Sequence, residues 1–274
     1  MKLKKLVFNL LVAATLMLLT CTACSELPDD TEFPDYRPST SDSTTTEEPR
    51  KKNEDESPWQ LSTQVIWTIR DLGNGEAALT GYDTSGPAPK GNVRLPESVS
   101  GRKITEIAGW SGIKNCTTIE KLTIPGTVST IGNCAFENCN NLKELTLENG
   151  VISIAAHAFD GCNSLQKISL PNTIIGVGDY AFARCTSLKT AVLPNWLTSV
   201  SQGLFLSCES LESVYIPAYV AEIQADAFGG CKNLKNVYYG GTPKQWLELK
   251  IDGDGNGYLT AATVHYQAKP SDVN

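Results

Sequence analysis

The stretch CAFENCNNLKELTL, residues 134–147, contains the pattern that decides the fold, because it recurs along the chain with a constant step. The cysteine three residues after the phenylalanine recurs every 23 residues, at Cys116, Cys139, Cys162, Cys185, Cys208 and Cys231. The phenylalanine and the following leucine keep the same step, at Phe136, Phe159, Phe182, Phe205 and Phe228 and at Leu142, Leu165, Leu188, Leu211 and Leu234. A fixed period of this length is typical of a solenoid built from one structural unit per repeat.

Residues 125–239 divide into five units of 23 residues that align without insertion, and a looser unit at 96–124 precedes them. Each unit ends in three residues that alternate apolar, exposed, apolar, as in Leu145-Thr146-Leu147, which predicts one short strand per unit. A single unit cannot bury its apolar face alone. Stacked units therefore predict a right-handed solenoid with a parallel sheet along one face and with the repeated Phe, Cys and Leu side chains buried inside.

The segments IGNCAFENCNNLKELTLENG and VGDYAFARCTSLKTAVLPN resemble the BspA-type (treponemal-type) leucine-rich repeat over about residues 93–239. The resemblance implies a leucine-rich repeat solenoid, placed in the α/β class by convention although it consists mostly of short strands and turns. It also implies a surface-exposed bacterial protein, often lipid-anchored, of a family in which several members are adhesins. It implies no catalytic residues.

The ends of the solenoid are predicted to carry caps. Two alternating apolar runs around Leu72-Gly73-Asn74-Gly75 predict an N-terminal hairpin cap within residues 59–92. The solenoid is predicted over 93–239. Residues 240–274 then form a C-terminal cap and tail, in which Trp246 and Leu247 are expected to close the final coil.

The chain begins with a segment typical of exported proteins. Three lysines precede a short apolar run, which predicts a signal peptide over residues 1–24. Cys24, after Thr22 and Ala23, resembles the lipid-acceptor cysteine of a bacterial lipobox, with Cys21 the weaker candidate and cleavage without lipid the alternative. These features predict an outer membrane lipoprotein exposed at the cell surface.

Residues 25–58 are rich in Ser, Thr, Pro and acidic residues and predict a disordered tether. The acidic stretch resembles the surface-export signals of Bacteroidetes lipoproteins, and a plain spacer is the alternative. The tether holds eleven acidic and four basic residues, so the rest of the chain is close to neutral although the net charge is −7. Without a basic field we expect no nucleic-acid partner, and we expect membrane attachment only through the lipid anchor.

The repeated cysteines allow three interpretations. Buried free thiols agree with the strong tendency of Cys to lie in protein interiors. Disulfides between neighbouring coils are compatible with a Cα separation of roughly 4.8 Å, although parallel side chains make poor bridges. A metal site is the least favoured, because one thiol per coil does not converge on an ion. Cys134 lies outside this series, in a variable position that we expect to face solvent.

The sequence offers little material for catalysis. His157 and His265 have no Ser, Cys or carboxylate partner at a recognisable spacing, so we expect no enzymatic activity and no cofactor. One weak calcium candidate is present, in which Asp252, Asp254 and Asn256 match positions one, three and five of a calcium loop. Its twelfth position is Thr263 instead of the bidentate Glu, and such Asp-Gly runs are also ordinary turns.

Two variable positions change from small polar residues to large apolar ones in the last coils, and they predict a partner-binding patch of Val192, Trp196, Tyr215, Tyr219 and Tyr238. The alternative is that some of these rings pack against the C-terminal cap. The favoured function is protein recognition by a non-enzymatic, adhesin-like surface protein whose partner is a host or bacterial surface protein. A glycan-binding surface lipoprotein and a structural component of an envelope assembly are the alternatives.

Overall fold

The computed structural model describes residues 65–273; the predicted signal peptide, the predicted tether and the lipidation candidate Cys24 lie outside the described residues. The chain folds mainly into short strands joined by turns. The strands are β1 Trp67–Gly73, β2 Glu76–Tyr82, β3 Gly91–Arg94, β4 Ser98–Val99, β5 Arg102–Ile107, β6 Ile119–Ile124, β7 Thr130–Ile131, β8 Glu144–Leu147, β9 Ser153–Ile154, β10 Lys167–Ser169, β11 Gly176–Val177, β12 Thr190–Val192, β13 Ser199–Val200, β14 Ser213–Ile216, β15 Glu222–Ile223, β16 Asn236–Tyr239, β17 Lys250–Ile251 and β18 Thr263–Tyr266. The helices are α1 Pro243–Glu248, α2 Gly257–Ala261 and a short 3₁₀-helix, Pro270–Asp272.

The predicted solenoid with a parallel sheet along one face is confirmed. The sheet has eight parallel strands in the order β18-β16-β14-β12-β10-β8-β6-β3, so each coil adds one strand beside the strand of the coil before it. Where consecutive coils pair, residues 23 positions apart face each other, as in Ser169 opposite Val192 and Val192 opposite Tyr215. Equivalent side chains therefore lie in straight rows across the sheet, which we call ladders.

Each coil also contributes a second strand that the sequence pattern did not predict. These strands are mostly two residues long and pair in parallel into two ribbons, β5-β7-β9-β11 and β13-β15-β17. In the two-residue strands β7, β9, β11, β13 and β15 the second residue is buried, for example Ile131, Ile154 and Val200, whereas Ile251 in β17 is partly buried. The prediction of one strand per unit is wrong for this reason, since two residues are too few to show an alternation in the sequence.

The interior is filled by the ladders that the sequence repeats. Phe136, Phe159 and Phe182 are fully buried and stack with ring centroids 5.2 and 5.3 Å apart. The cysteines and leucines of the same coils line the same core. Close packing of this kind explains why the units keep a constant length, because an insertion would move all of a coil's side chains out of register with the next coil.

The N-terminal cap contains the predicted hairpin. Strands β1 and β2 are antiparallel, and the turn between them places Asn74 and Gly75 at positive φ, as a tight hairpin requires. Strand β2 then pairs in parallel with β5, which joins the hairpin to the first ribbon.

At the C-terminal end, Trp246 packs on the core and meets Tyr239 edge to face, with ring centroids 5.1 Å apart. The expected role of Leu247 is wrong, since this side chain is 85% exposed while its neighbour Trp246 makes the core contact. Within residues 65–273, no helix has the length and apolar character needed to cross a bilayer.

Two turn positions in every coil have left-handed backbone conformations. One series is Cys134, His157, Tyr180, Gly203 and Asp226, and the other is Asn138, Gly161, Arg184, Ser207 and Gly230. Cys134 belongs to the first series, and its expected exposure to solvent is wrong because the side chain is only 3% exposed.

Burial opposes ionisation of the neighbouring Glu137, but hydrogen bonds from Lys114 and Cys134 keep the pKa of its carboxyl below the ordinary value.

Candidate binding surface

The predicted patch starts from one ladder on the outer face of the eight-stranded sheet. Parallel pairing places Val192 opposite Tyr215 and Tyr215 opposite Tyr238. The row continues to His265 in β18, whose ring stacks on Tyr238 with centroids 4.7 Å apart. The structure therefore brings three of the five predicted residues side by side.

These three residues are not freely exposed, and for Val192 and Tyr215 the prediction of exposure is wrong. Val192 is 7% and Tyr215 is 5% exposed, and they form a small apolar cluster with Val273, against which Tyr238 also packs. The physical reason is that the chain after β18 turns back over the sheet, so a residue near its end covers the ladder. Packing against the C-terminal segment, the alternative considered from the sequence, applies to this part of the patch.

The covering segment is residues 267–273. The backbone N–H groups of Gln267 and Ala268 donate to the carbonyls of Gly241 and Tyr239, at 2.8 and 3.0 Å. The chain then makes the 3₁₀ turn Pro270–Asp272, in which the N–H of Lys269 donates to Asp272 Oδ2 at 2.7 Å. Val273 follows this turn and is 4% exposed.

The other two predicted residues form an exposed aromatic pair. Trp196 and Tyr219 are 57% and 63% exposed and stack with ring centroids 5.3 Å apart. They occupy equivalent positions in consecutive coils, in the turns that follow β12 and β14. The Tyr215 hydroxyl donates to Asn195 Oδ1 at 3.4 Å, which connects the covered ladder to the residue next to Trp196.

The strand face changes chemistry along the solenoid. In the first coils it carries ion pairs: Lys121 Nζ lies 2.7 Å from Glu144 Oε1, and Arg94 pairs with Glu148 two coils further on. Glu148 stands where the other units have proline, and its second oxygen also accepts from Gly126 N–H at 3.2 Å. In the last coils the same face carries uncharged aromatic and aliphatic residues.

The repeated cysteines are buried free thiols. Each thiol from Cys139 to Cys231 donates to a carbonyl of the preceding coil, for example Cys162 Sγ to Phe136 O at 3.4 Å and Cys208 Sγ to Phe182 O at 3.2 Å. Burial raises the pKa of the Cys139 and Cys231 thiols to about 12 and that of Cys162 well above 9.0. Such thiols stay protonated at neutral pH and are poor nucleophiles.

The calcium candidate has a structural role at one of its three residues. Asn256 is 1% exposed, and its amide donates to the carbonyls of Gln224 and Asp252 at 2.9 and 2.8 Å. Its Oδ1 accepts from Phe228 N–H at 3.0 Å. Asp252 Oδ1 accepts from Asp254 N–H at 3.0 Å, which is an ordinary turn contact. Within residues 65–273, no group of three or more His, Cys, Asp and Glu side chains is arranged to hold a metal ion.

The hydrogen bond from Phe228 explains the position of Asn256. In the coils before it, the phenylalanine N–H donates to a backbone carbonyl of the next coil, as Phe182 does to Leu204 and Phe205 does to Ala227. At the last coil the Asn256 side chain supplies this acceptor. Asn256 is therefore a cap residue that completes the hydrogen bonding of the final coil.

One polar cluster on the turn side was missed from the sequence. The buried Asp160 carboxylate accepts from Arg184 Nε and Nη2 at 2.9 and 3.0 Å and lies 2.9 Å from His157 Nδ1. The His157 ring stacks on Tyr180 at 5.0 Å. Opposite charges spaced by one coil length could have indicated such pairs, since residues 23 or 24 apart lie on neighbouring coils. His265 is likewise engaged, with Nε2 2.9 Å from Asn236 Oδ1.

Comparison with known proteins agrees with this architecture. Residues 111–235 match the BspA type leucine rich repeat region in six copies. A solved leucine-rich repeat protein from T. pallidum is 31% identical, with 63% of this chain and 78% of that chain covered and a TM-score of 0.57. A leucine-rich repeat protein from Eubacterium ventriosum is 28% identical over 43% of this chain and 32% of that chain, with a TM-score of 0.42.

None of the curated proteins matches this chain significantly. The family model matches the repeated coil pattern of the sequence, and the T. pallidum structure is similar in fold to the solenoid described above. The chain therefore belongs to the BspA-type leucine-rich repeat proteins.

Proposed function

We propose that this protein is a non-enzymatic recognition protein of the cell surface, which binds another protein through the last coils of its solenoid. The observation that carries the proposal is the exposed pair Trp196–Tyr219. Membership of the leucine-rich repeat family supports a protein-binding role. An adhesin-like role, with a host or bacterial surface protein as partner, is the specific form of the proposal.

The exposed pair is not required by the fold. The equivalent position holds Thr127, Gly150 and Thr173 in earlier coils with the same interior residues. Large rings left in water cost solvation free energy without adding to the core, so their presence needs another reason. Trp and Tyr are the residue types most enriched at binding hot spots, because they bring large rigid contact area with few rotatable bonds.

The geometry of the pair favours a protein over a glycan. A sugar ring stacks on the flat face of an aromatic ring, but here each ring covers one face of the other at 5.3 Å. The pair presents ring edges and one outer face each, which suits insertion into an irregular protein surface. The neighbouring Asn195 and Thr198 add uncharged hydrogen-bonding groups at the same edge.

The experiment is capture of partners from host matrix and epithelial surface proteins on the immobilised chain, compared with the double variant Trp196→Ala/Tyr219→Ala. The wild type should retain a partner, and the double variant should bind it at least about tenfold more weakly, since one hot-spot ring contributes about 2 kcal/mol. Both proteins should unfold at the same temperature, because the exposed pair adds little to the core.

Trp110→Ala is the matched control. Trp110 is equally exposed at 62%, but it lies in the looser N-terminal unit, where Lys114 Nζ sits 4.8 Å from the ring centroid. Loss of binding in both the double variant and Trp110→Ala would mean that exposed rings bind nonspecifically, and it would contradict the proposal. Binding of a saccharide on a glycan array, lost in the double variant while no protein is captured, would support the glycan alternative instead.

We also propose that the chain is anchored in the outer membrane by lipidation of Cys24. The basic residues, the apolar run and the Thr-Ala-Cys sequence at 22–24 support this proposal. Radiolabelled palmitate should enter the wild type and not a Cys24→Ser variant. Equal incorporation in the two proteins, or none in either, would contradict it. Cys21→Ser is the matched control and should leave incorporation unchanged.

A further inference from the structure

The apolar cluster of Val192, Tyr215 and Val273 is separate from the main core of the solenoid. The main core lies on the inner side of the sheet, whereas this cluster lies on its outer side. The segment 267–273 is therefore not a continuation of the interior packing. It is a piece of chain laid over a surface that the repeat leaves open.

The surface under this segment is apolar only where the segment lies. In the same ladder Thr146 and Ser169 are exposed, and their coils have the same interior residues. A parallel sheet of this type thus tolerates polar, uncovered residues at the position. Val192 and Tyr215 instead create an apolar surface, whose burial under a covering segment is favourable.

The covering segment is held weakly. Its backbone is hydrogen-bonded to the last coil only at Gln267 and Ala268. Within the described residues, the hydrogen bonds of Lys269 and Asp272 are to each other, and residues 270–272 are exposed. Beyond Ala268, Val273 alone contributes a buried side chain to the contact. A segment fixed by one side chain at its end can be displaced by a ligand that offers the same side chain.

The side chains in this contact indicate which kind of side chain the surface can bind. The branched aliphatic side chain of Val273 packs in one buried cluster with Val192 and Tyr215. The acidic residue before it, Asp272, accepts from the Lys269 N–H and so closes the 3₁₀ turn that precedes Val273. The partner side chain that fits is therefore a branched aliphatic residue.

We propose that Val192, Tyr215 and Tyr238 form a binding site for a peptide segment that carries a branched aliphatic residue, and that residues 269–273 occupy this site within the same chain. The inference rests on the proposed function, because it names the kind of segment that a protein partner inserts on the same face. It adds that the partner must displace the chain's own segment to reach the ladder.

The test uses the whole chain with ¹³C-labelled tyrosine rings, as wild type and as Val273→Ser, titrated with a synthetic peptide of residues 268–274 (AKPSDVN). Val273→Ser removes the aliphatic anchor and frees the site. The peptide should then shift the Tyr215 and Tyr238 ring signals of the variant with a dissociation constant near the millimolar range. Binding to the wild type should be at least about tenfold weaker, since its own segment competes at high local concentration. The same peptide with serine in place of valine is the control and should bind the variant at least about tenfold more weakly.

The inference is overturned if the variant shows no saturable shift up to roughly 5 mM peptide, or if the valine and serine peptides bind it equally. Unfolding of the chain by both Val273→Ser and the milder Val273→Ala would also overturn it, because the segment would then be part of the fold. The proposed function is tested separately. If a partner is captured through Trp196 and Tyr219 but no peptide binds, only this inference is contradicted. If the peptide binds but no partner is captured, only the proposed function is contradicted.

Discussion

The interior and the strand face of the same coils change in opposite ways along the solenoid. Inside, the stacked position is phenylalanine in five consecutive coils, from Phe136 to Phe228. On the strand face, the same coils pass from Thr146 and Ser169 to Val192 and Tyr215. An interior side chain must match the coil before and after it, whereas an outer one meets solvent or a partner. Constancy along a ladder therefore reports the fold, and change along a ladder reports what covers the outer face, as Val273 does on Val192 and Tyr215.

Truncation of an interior ring should have the largest effect on stability. Phe159→Ala removes a fully buried ring that lies between Phe136 and Phe182, and neither neighbour can fill the space without leaving its own stack. We expect a loss of about 3–5 kcal/mol in the free energy of unfolding, measured by chemical denaturation. Phe159→Leu, which keeps most of the volume, should cost less than half as much. A loss below about 1 kcal/mol for the alanine variant would show that the interior is as tolerant as the surface.

Removal of the C-terminal cap residue should have the next largest effect. Asn256→Ala leaves the buried N–H of Phe228 and the Asp252 carbonyl without this partner and removes one of two donors to the Gln224 carbonyl, so we expect a loss of about 2–3 kcal/mol. Asp254→Ala is the control, because only its backbone takes part in the coil contacts and its side chain is exposed. We also expect an unchanged melting temperature when roughly 5 mM calcium is added. A rise that disappears in both variants would instead assign these residues to a calcium site.

The buried thiols should make the interior sensitive to alkaline pH. The pKa of the Cys139 thiol rises from 9.0 to about 12 on folding because burial penalises the thiolate. Its contribution is fully present below pH 9 and is lost as the pH rises towards 12, because the unfolded thiol ionises first. Between pH 7 and pH 10 the wild type should therefore lose roughly 1 kcal/mol more than Cys139→Ala, with both kept reduced. Thr146→Ala removes no thiol and should lose as much stability as the wild type. Equal losses in all three proteins would contradict the effect.

The smallest effect is expected on the strand face of the first coils. The hydrogen bond from Arg94 lowers the pKa of the Glu148 carboxyl, so this pair contributes stability above the ordinary value of 4.5 and loses it as the pH falls through the lowered value. Glu148→Gln should cost less than about 1 kcal/mol at pH 7, because the pair is partly exposed and solvent screens it. The difference from the wild type should shrink between pH 5 and pH 3. A pH-independent difference would assign the role of Glu148 to its hydrogen bond with Gly126 and not to its charge.

The interior ladders, the parallel sheet and the hairpin could be predicted from the sequence, because each leaves a regular signature. Period 23 fixes which residues stack, and alternation over Leu145-Thr146-Leu147 fixes which of them point inward. The aromatic change between Thr173 and Trp196 was also visible as a break in an otherwise regular ladder. The exposure of Trp196 and Tyr219 follows from the same reasoning.

The cover on Val192 and Tyr215 could not be predicted with the same certainty. It depends on Val273, which lies outside the period and reaches the ladder through a non-repeating turn. Asn256 was singled out for its place in a calcium-like run, but its role depends on a hydrogen bond to Phe228 that no local pattern encodes. Such contacts are specific to the ends of the solenoid, where the repeat stops and each residue has its own environment.

The cap residue Asn256 also has a consequence for length. A stack of identical coils resembles a one-dimensional crystal, since its last coil offers the same unpaired groups that every earlier coil offered to the next. Growth would continue wherever another chain could supply a matching edge. By placing a side-chain oxygen where the next coil's carbonyl would lie, Asn256 ends the row of turn hydrogen bonds at Phe228, while the sheet continues to β18. At this position the protein therefore has a terminator that keeps its own end from serving as a template for a second molecule.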